Sequence, residues 1–180
     1  MTVERNEIRI AGTGGQGIVT AGRILAEAAV LSGSNATHSQ VYGPQSRGGA
    51  CRSDVVIATG EIGFPLAGDI DILMILSIPA YARYHAELQV GGRLIVDARC
   101  VPESVDPAVR RFPVVDTARA IAGDQVATGV VALGLLHAFA GLVDAEALRQ
   151  AVGARVPAAH RVTNLAALDA GMRLLDGRAA

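Results

Sequence analysis

The segment that most restricts this chain runs from Ile8 to Ala29. Ile8 to Ala11 is a short apolar run of β type, and Gly12-Thr13-Gly14-Gly15-Gln16-Gly17 follows it directly. Ile18, Ala21, Gly22, Leu25, Ala28 and Ala29 then recur at helical spacing. A strand, a tight glycine turn and a helix in immediate succession require the helix to fold back onto the sheet that holds the strand. That commits the chain to an α/β architecture.

The later segments keep the alternation. Asn35 to Tyr42 and Asp54 to Thr59 (DVVIAT) read as strands, the second rich in β-branched residues. Ile70 to Leu76 (IDILMIL) is almost continuously apolar, as in a strand covered on both faces. Pro79 opens a short helix carrying Tyr81, Tyr84 and Leu88. Arg93 to Ala98 follows Gly91-Gly92 as another buried strand, and Pro113 to Asp116 (PVVD) reads as one more. From Thr117 the pattern is helical, at about 117–122, 125–140, 144–155 and 158–176. Asp144 is placed as an N-cap, and Gly123, Gly141 and Gly177 fall at C-cap positions. A length of 180 residues suits one domain with a sizeable core. The expectation is a single domain over 1–180: an α/β, Rossmann-like three-layer sandwich with a mostly parallel sheet and a helical C-terminal third. Val126 to Val143 approaches the length of a membrane span, but it is diluted by Gly and Ala and lacks basic flanks and an aromatic belt. A buried helix is the reading there.

The spacing G-x-G-x-x-G after a strand and before a helix carries a mechanical meaning. Gly12 would allow the tight turn, Gly14 would let a ligand approach the backbone, and Gly17 would let helix and sheet pack closely. Unpaired N–H groups at the helix start favour an anion, although an empty structural turn has the same spacing. A nicotinamide cofactor would also need an Asp or Glu about twenty residues on, to hold the ribose. Ser32 to His38 contains none, which demotes a free-standing dehydrogenase to a minor alternative.

A second segment, Tyr42-Gly43-Pro44-Gln45-Ser46-Arg47-Gly48-Gly49, has too many breakers for regular structure. Arg47 within it offers a planar cation suited to a phosphate or carboxylate, or it points at water.

Composition removes several mechanisms. All sixteen cations are Arg, against seventeen acids. Without lysine there is no Schiff-base chemistry and no Walker-type phosphate lysine. Balanced charge and few aromatics argue against a nucleic-acid partner, and balanced charge also against a membrane surface. Cys51 and Cys100 are too few for a cluster or a structural zinc site, and His38, His85, His137 and His160 form no metal pattern. No nucleophile and base stand at interpretable spacing, so no catalytic residue is assigned. Cys51 adjoins Arg52, which could lower its pKa, but a buried, inert thiol is the favoured reading. The polar start MTVERNEIRI has no signal-peptide character, which predicts a cytoplasmic protein.

The two glycine motifs together, GTGGQGIVTAGRILAEAA and THSQVYGPQSRGGACRSDVVI, followed by an apolar D-I-L strand, resemble the gamma subunit of 2-oxoacid:ferredoxin oxidoreductases. The likeness extends to Ala132–Gly134 (ALG) and to Asn164, Ala167 and Gly171, and its wording is most similar to the 2-oxoglutarate type. It implies a subunit without catalytic residues of its own, serving oxidative decarboxylation of a 2-oxoacid to an acyl-CoA with reduction of ferredoxin. Thiamine diphosphate, Mg²⁺ and Fe–S clusters would lie in alpha and beta partners and, as an optional further chain, a ferredoxin-like delta subunit. By the same resemblance Gly12, Gly14, Gly15, Gln16 and Gly17 face the phosphates of coenzyme A, and Arg47 adds a positive contact. Where the family often has an Asn before the long apolar helix, this chain has Gln125 and Thr128.

Overall fold

Strand β1 (Arg5–Thr13) is central in a sheet that has six strands among the described residues. Its companions are β2 (Asn35–Val41), β3 (Ala50–Ala58), β4 (Ile70–Ile75), β5 (Leu88–Asp97) and β6 (Arg110–Phe112), in the order β2-β3-β1-β4-β5-β6. The computed structural model describes residues 5–42, 49–101 and 109–177. β1 pairs in parallel with β4, β4 with β5 and β5 with β6, whereas β3 runs antiparallel to both β1 and β2. The sheet is therefore mostly parallel, with one reversed strand inserted beside β1.

One face carries α1 (Ile18–Leu31) and the helical C-terminal third, α3 (Val114–Ala122), α4 (Thr128–Ala140), α5 (Ala145–Arg155) and α6 (Arg161–Leu174). The other face carries the short α2 (Ile78–Tyr84). Alternation along β1 explains the split: Ile8 and Ile10 join the thick layer, and Ala11 joins the cluster under α2 with Leu73, Ile75 and Tyr84. The apolar stretch from Val126 resolves into α4, buried against α6. No helix among the described residues is long and apolar enough to cross a membrane.

Two expectations require correction. Leu88 opens β5 instead of closing a helix, and that strand continues through Gly91 (φ +83°) with an irregular register opposite Ile70 and Ile72. Pro113 to Asp116 is not a strand: β6 stops at Phe112, and α3 begins at Val114. The buried Asp97 carboxylate accepts a hydrogen bond from Val115 N at 2.8 Å, satisfying one of the open donors of that helix start.

Close packing of α1 on the sheet depends on Gly22, where a Cβ would lie 1.9 Å from Ser53 Oγ. Ser53 shares a 2.7 Å hydrogen bond with His38 Nε2 beneath the helix. Burial first, and the Arg23 cation second, hold the His38 pKa below its ordinary 6.5, against the pull of Asp54. The folded state thus favours neutral imidazole, while the unfolded chain gains a proton as pH falls through 6.5. Stability is expected to be fully present above that pH and to decline below it, levelling off once the folded-state pKa is passed. Urea midpoints across this range should show the decline, and His38→Gln should flatten it. A wild-type midpoint that rises on acidification would exclude this role for His38.

Candidate functional site

The pairing of β1 with β3 brings the two glycine motifs together. Gly12 lies opposite Cys51 and Thr13 opposite Ala50, so the first turn leaves the sheet beside the point where the second segment enters it. Both stand at the carboxyl edge of the parallel strands, the usual ligand edge of such sheets. Arg47 lies outside the described residues.

Within the turn, the glycines differ in role from the simple reading. Gly12 is still in β1 and buried; a Cβ there would stand 2.5 Å from Gln16 Oε1 and 2.7 Å from Ile18 Cδ1. It makes room for Gln16 and does not form the turn. Gln16 is 2% exposed, and its side chain faces inward. Its Oε1 accepts from Thr13 N at 2.8 Å, and its Nε2 donates to Leu76 O at 2.8 Å, bracing the turn against the end of β4. Gly17 (φ +72°) allows close approach of α4 and not of the sheet: a Cβ there would meet Val126 O at 2.9 Å, and Gly129 N donates to Gln16 O at 2.8 Å. The left-handed φ makes any side chain at Gly17 costly as well.

Gly14 and Gly15 are the exposed members. Among the described residues, nothing lies within 4 Å of a Cβ added at Gly14. Among the described residues, a Cβ at Gly15 (φ +90°) would have Gln125 Nε2 alone nearby, at 3.8 Å, so Gln125 reaches the turn from the segment before α4. Buried Thr128 donates its hydroxyl to Gln125 O at 2.7 Å and holds that segment in place. Spacing alone could not have selected Gln125, because its distance from the turn is set by the docking of α4.

The first ladder bond of α1 runs from Ala21 N to Gly17 O at 2.9 Å, so the amides of Ile18, Val19 and Thr20 precede the helix's own bonding. The first turn holds no acidic residue, and no side chain caps it. Among the described residues the positive end of the helix is therefore uncompensated, and Gly14 and Gly15 beside it are exposed. A hollow of about 170 Å³ lies here, edged by Thr13, Gly14, Gly15, Tyr42 and Cys51. Cys51 is a poor nucleophile: burial raises its pKa, only partly offset by backbone hydrogen bonds. Arg52 does not lower it, because its guanidinium pairs with Asp54 and Glu87. Burial and the nearby Asp97 charge push Cys100 up to about 12.

The structure also bears on the nicotinamide alternative. β2 ends at Val41, beyond Ser32 to His38, and β3 separates it from β1. The strand end that would present a ribose-binding carboxylate is displaced by one strand from the turn, and Val41 and Tyr42 are not acidic. Among the described residues no cluster of His, Cys, Asp and Glu could hold a metal.

A glycine turn leading into a helix start, at the carboxyl edge of a mostly parallel sheet, defines a Rossmann-like α/β domain. The chain belongs to the pyruvate ferredoxin/flavodoxin oxidoreductase family, whose model matches residues 7–174. Within it the chain is of the gamma-subunit type found in 2-oxoacid:ferredoxin oxidoreductases. It is 39% identical to the 2-oxoglutarate synthase subunit KorC of Methanothermobacter thermautotrophicus, over 95% of each chain. It also resembles the crystal structure of a keto/oxoacid ferredoxin oxidoreductase gamma subunit from Geobacter sulfurreducens, with 38% identity and a TM-score of 0.83 over 96% of this chain and 97% of that one. The 2-oxoglutarate:ferredoxin oxidoreductase of Magnetococcus marinus, solved with 2-oxoglutarate, coenzyme A and succinyl-CoA bound, shares the fold. There the TM-score is 0.83 at 21% identity, covering 97% of this chain and 31% of that one.

Proposed function

We propose that this chain is the CoA-binding gamma subunit of a 2-oxoglutarate:ferredoxin oxidoreductase and that it supplies no catalytic residue. The reaction served converts 2-oxoglutarate, CoA and two oxidised ferredoxins into succinyl-CoA, carbon dioxide, a proton and two reduced ferredoxins. Alpha and beta partners would carry thiamine diphosphate, Mg²⁺ and Fe–S clusters, with a ferredoxin-like delta subunit as an optional fourth chain. A cytoplasmic location goes with this reading.

The carrying observation is the open start of α1, where exposed Gly14 and Gly15 meet amides that precede the helix ladder. CoA brings a pyrophosphate and a 3′-phosphate, which need N–H and guanidinium donors and no ribose carboxylate. The backbone at Gly14, Gly15 and Gly17 receives the phosphates. Gly12 and the Gln16 side chain act indirectly, by holding the turn in shape. Arg47 supplies a charge-assisted contact from the second segment.

The test uses the assembled complex. A Cβ at Gly14 would meet no atom of the described residues within 4 Å, so Gly14→Val should intrude on ligand space and spare the fold. It should raise KM for CoA by roughly tenfold and leave KM for 2-oxoglutarate unchanged. Arg47→Ala should act in the same direction, as removal of one charge-assisted hydrogen bond costs about 1.5–3 kcal/mol. If neither variant moves KM for CoA, the subunit is purely structural.

A further inference from the structure

The ladder between β1 and β4 ends with a side chain built into it. Its last paired residues are Ala11 and Ile75, and Leu76 N then donates to Ala11 O at 2.8 Å. A parallel ladder would continue with a bond from Thr13 N back to Leu76 O, across from Gly12. Here one side chain engages both groups. Thr13 N donates to Gln16 Oε1 at 2.8 Å, and Gln16 Nε2 donates to Leu76 O at 2.8 Å. An amide N–H only donates and a carbonyl oxygen only accepts, so these two partners fix which end of the carboxamide is oxygen. The Gln16 carboxamide is thus inserted into the rung, between the two backbone groups that would otherwise meet.

The insertion holds the ends of β1 and β4 apart by the width of an amide, and the glycine turn leaves the sheet at that gap. It also explains Gly12, since a Cβ there would stand 2.5 Å from the inserted Oε1. The Gln16 backbone is tied as well: its N donates to Thr13 O at 3.3 Å, and its O accepts from Gly129 N at 2.8 Å. On the far side, Leu76 is followed by Ser77, whose hydroxyl accepts from Ala80 N at 3.3 Å and caps α2. One buried residue therefore joins the turn to the starts of α4 and α2. The surroundings are poor in charge. Cys51, opposite Gly12 on β3, has its thiol pKa pushed up by burial, Asp124 before α4 is exposed and accepts from Val126 N, and Leu76 to Ile78 carry no charge.

We infer that Gln16 is a positioning residue: its inserted carboxamide sets the gap between β1 and β4, and with it the direction in which the backbone of Gly14 and Gly15 meets the coenzyme. The inference rests on the CoA reading above and adds to it a residue that acts without touching CoA. The role demands a group that accepts from Thr13 N and donates to Leu76 O at the same time. A protonated Glu does both; an ionised Glu only accepts, and sets its charge against the Leu76 carbonyl; Leu does neither.

The test again uses the complex and follows KM for CoA and for 2-oxoglutarate in Gln16→Glu and Gln16→Leu, each as a ratio to wild type at the same pH, across roughly pH 6 to pH 9. Burial raises a carboxyl at this position above its usual pKa of about 4.3. At the acid end Gln16→Glu should match wild type; toward the alkaline end its KM for CoA should rise by roughly tenfold as the donor is lost. Gln16→Leu should show a rise of similar size at every pH, and KM for 2-oxoglutarate should stay at the wild-type value in both. The inference is overturned if Gln16→Leu leaves KM for CoA unchanged, or if the Gln16→Glu ratio is flat with pH. A merely structural role would lower kcat and the melting midpoint and move both KM values together, without that pH profile, and this result overturns it too. If Gln16→Leu fails to assemble, the Gln16→Glu profile decides alone. Gly14→Val separates the two levels: an effect there with none from the Gln16 variants removes the positioning role and keeps the CoA reading, and silence from all three removes both.

Discussion

In the Asp54→Ala variant, stability is expected to fall by about 3–5 kcal/mol, and the melting midpoint by roughly 10 °C. Arg9 and Asp54 face each other across β1 and β3 and form two parallel hydrogen bonds, Nε to Oδ1 at 2.7 Å and Nη2 to Oδ2 at 2.8 Å. Both side chains are almost completely buried. Glu87 also contacts Arg9 and binds Arg52 at 2.9 Å, and the Tyr84 ring lies within 6 Å of both guanidinium groups. Burial alone would pull the Arg9 pKa down; the hydrogen bonds and charges of Asp54 and Glu87 more than reverse this. Deleting Asp54 leaves a buried cation with one partly exposed partner. Such pairs are costly to break even where the intact pair adds little net stability. Thermal and urea denaturation measure the loss, and a change below about 1 kcal/mol would mean that Glu87 alone suffices. Because the pair joins the strand that ends in the glycine turn to the strand that begins after the second motif, the variant should also weaken CoA binding.

Gly171→Ala should destabilise the protein by roughly 1–3 kcal/mol despite a better helix former at that position. Propensity alone favours alanine by up to about 1 kcal/mol. Here a Cβ would stand 2.0 Å from Val131 O, 2.9 Å from Val131 C and 3.0 Å from Leu135 N, all backbone atoms of α4. The reciprocal position, Gly134, would place a Cβ 2.1 Å from Leu168 O of α6. Neither helix can yield by rotating a side chain, so they must separate, and steric cost exceeds propensity. The start of α4 rests on the glycine turn through Gly129, so separation should also raise KM for CoA. Chemical denaturation decides the sign, and an alanine variant as stable as wild type would show that the two helices can part cheaply.

Strand, turn and helix at residues 8–29 were legible because each has a local signature: β-type apolar run, clustered glycines and helical spacing. The same holds for the near-continuous apolar β4 and for Gly123 and Gly141, which end α3 and α4 with left-handed φ. Pro113 to Asp116 misled because Val114 and Val115 are β-formers, while the partner favouring a helix start, Asp97, is distant in sequence. Asp144 stands at the N-cap of α5 but makes no side-chain capping bond there.

The sequence by itself determined the α/β class, the strand–glycine turn–helix unit and the absence of lysine chemistry, since these follow from residue type and local spacing. Only the tertiary structure decided that β3 reverses and inserts beside β1, which sets the two motifs side by side. It also decided that Gln16 braces the turn from within, that Gly17 serves α4, and that Gln125 reaches the turn from the segment before α4. Those outcomes depend on pairing and close packing between segments far apart in the chain, and local periodicity carries no record of them.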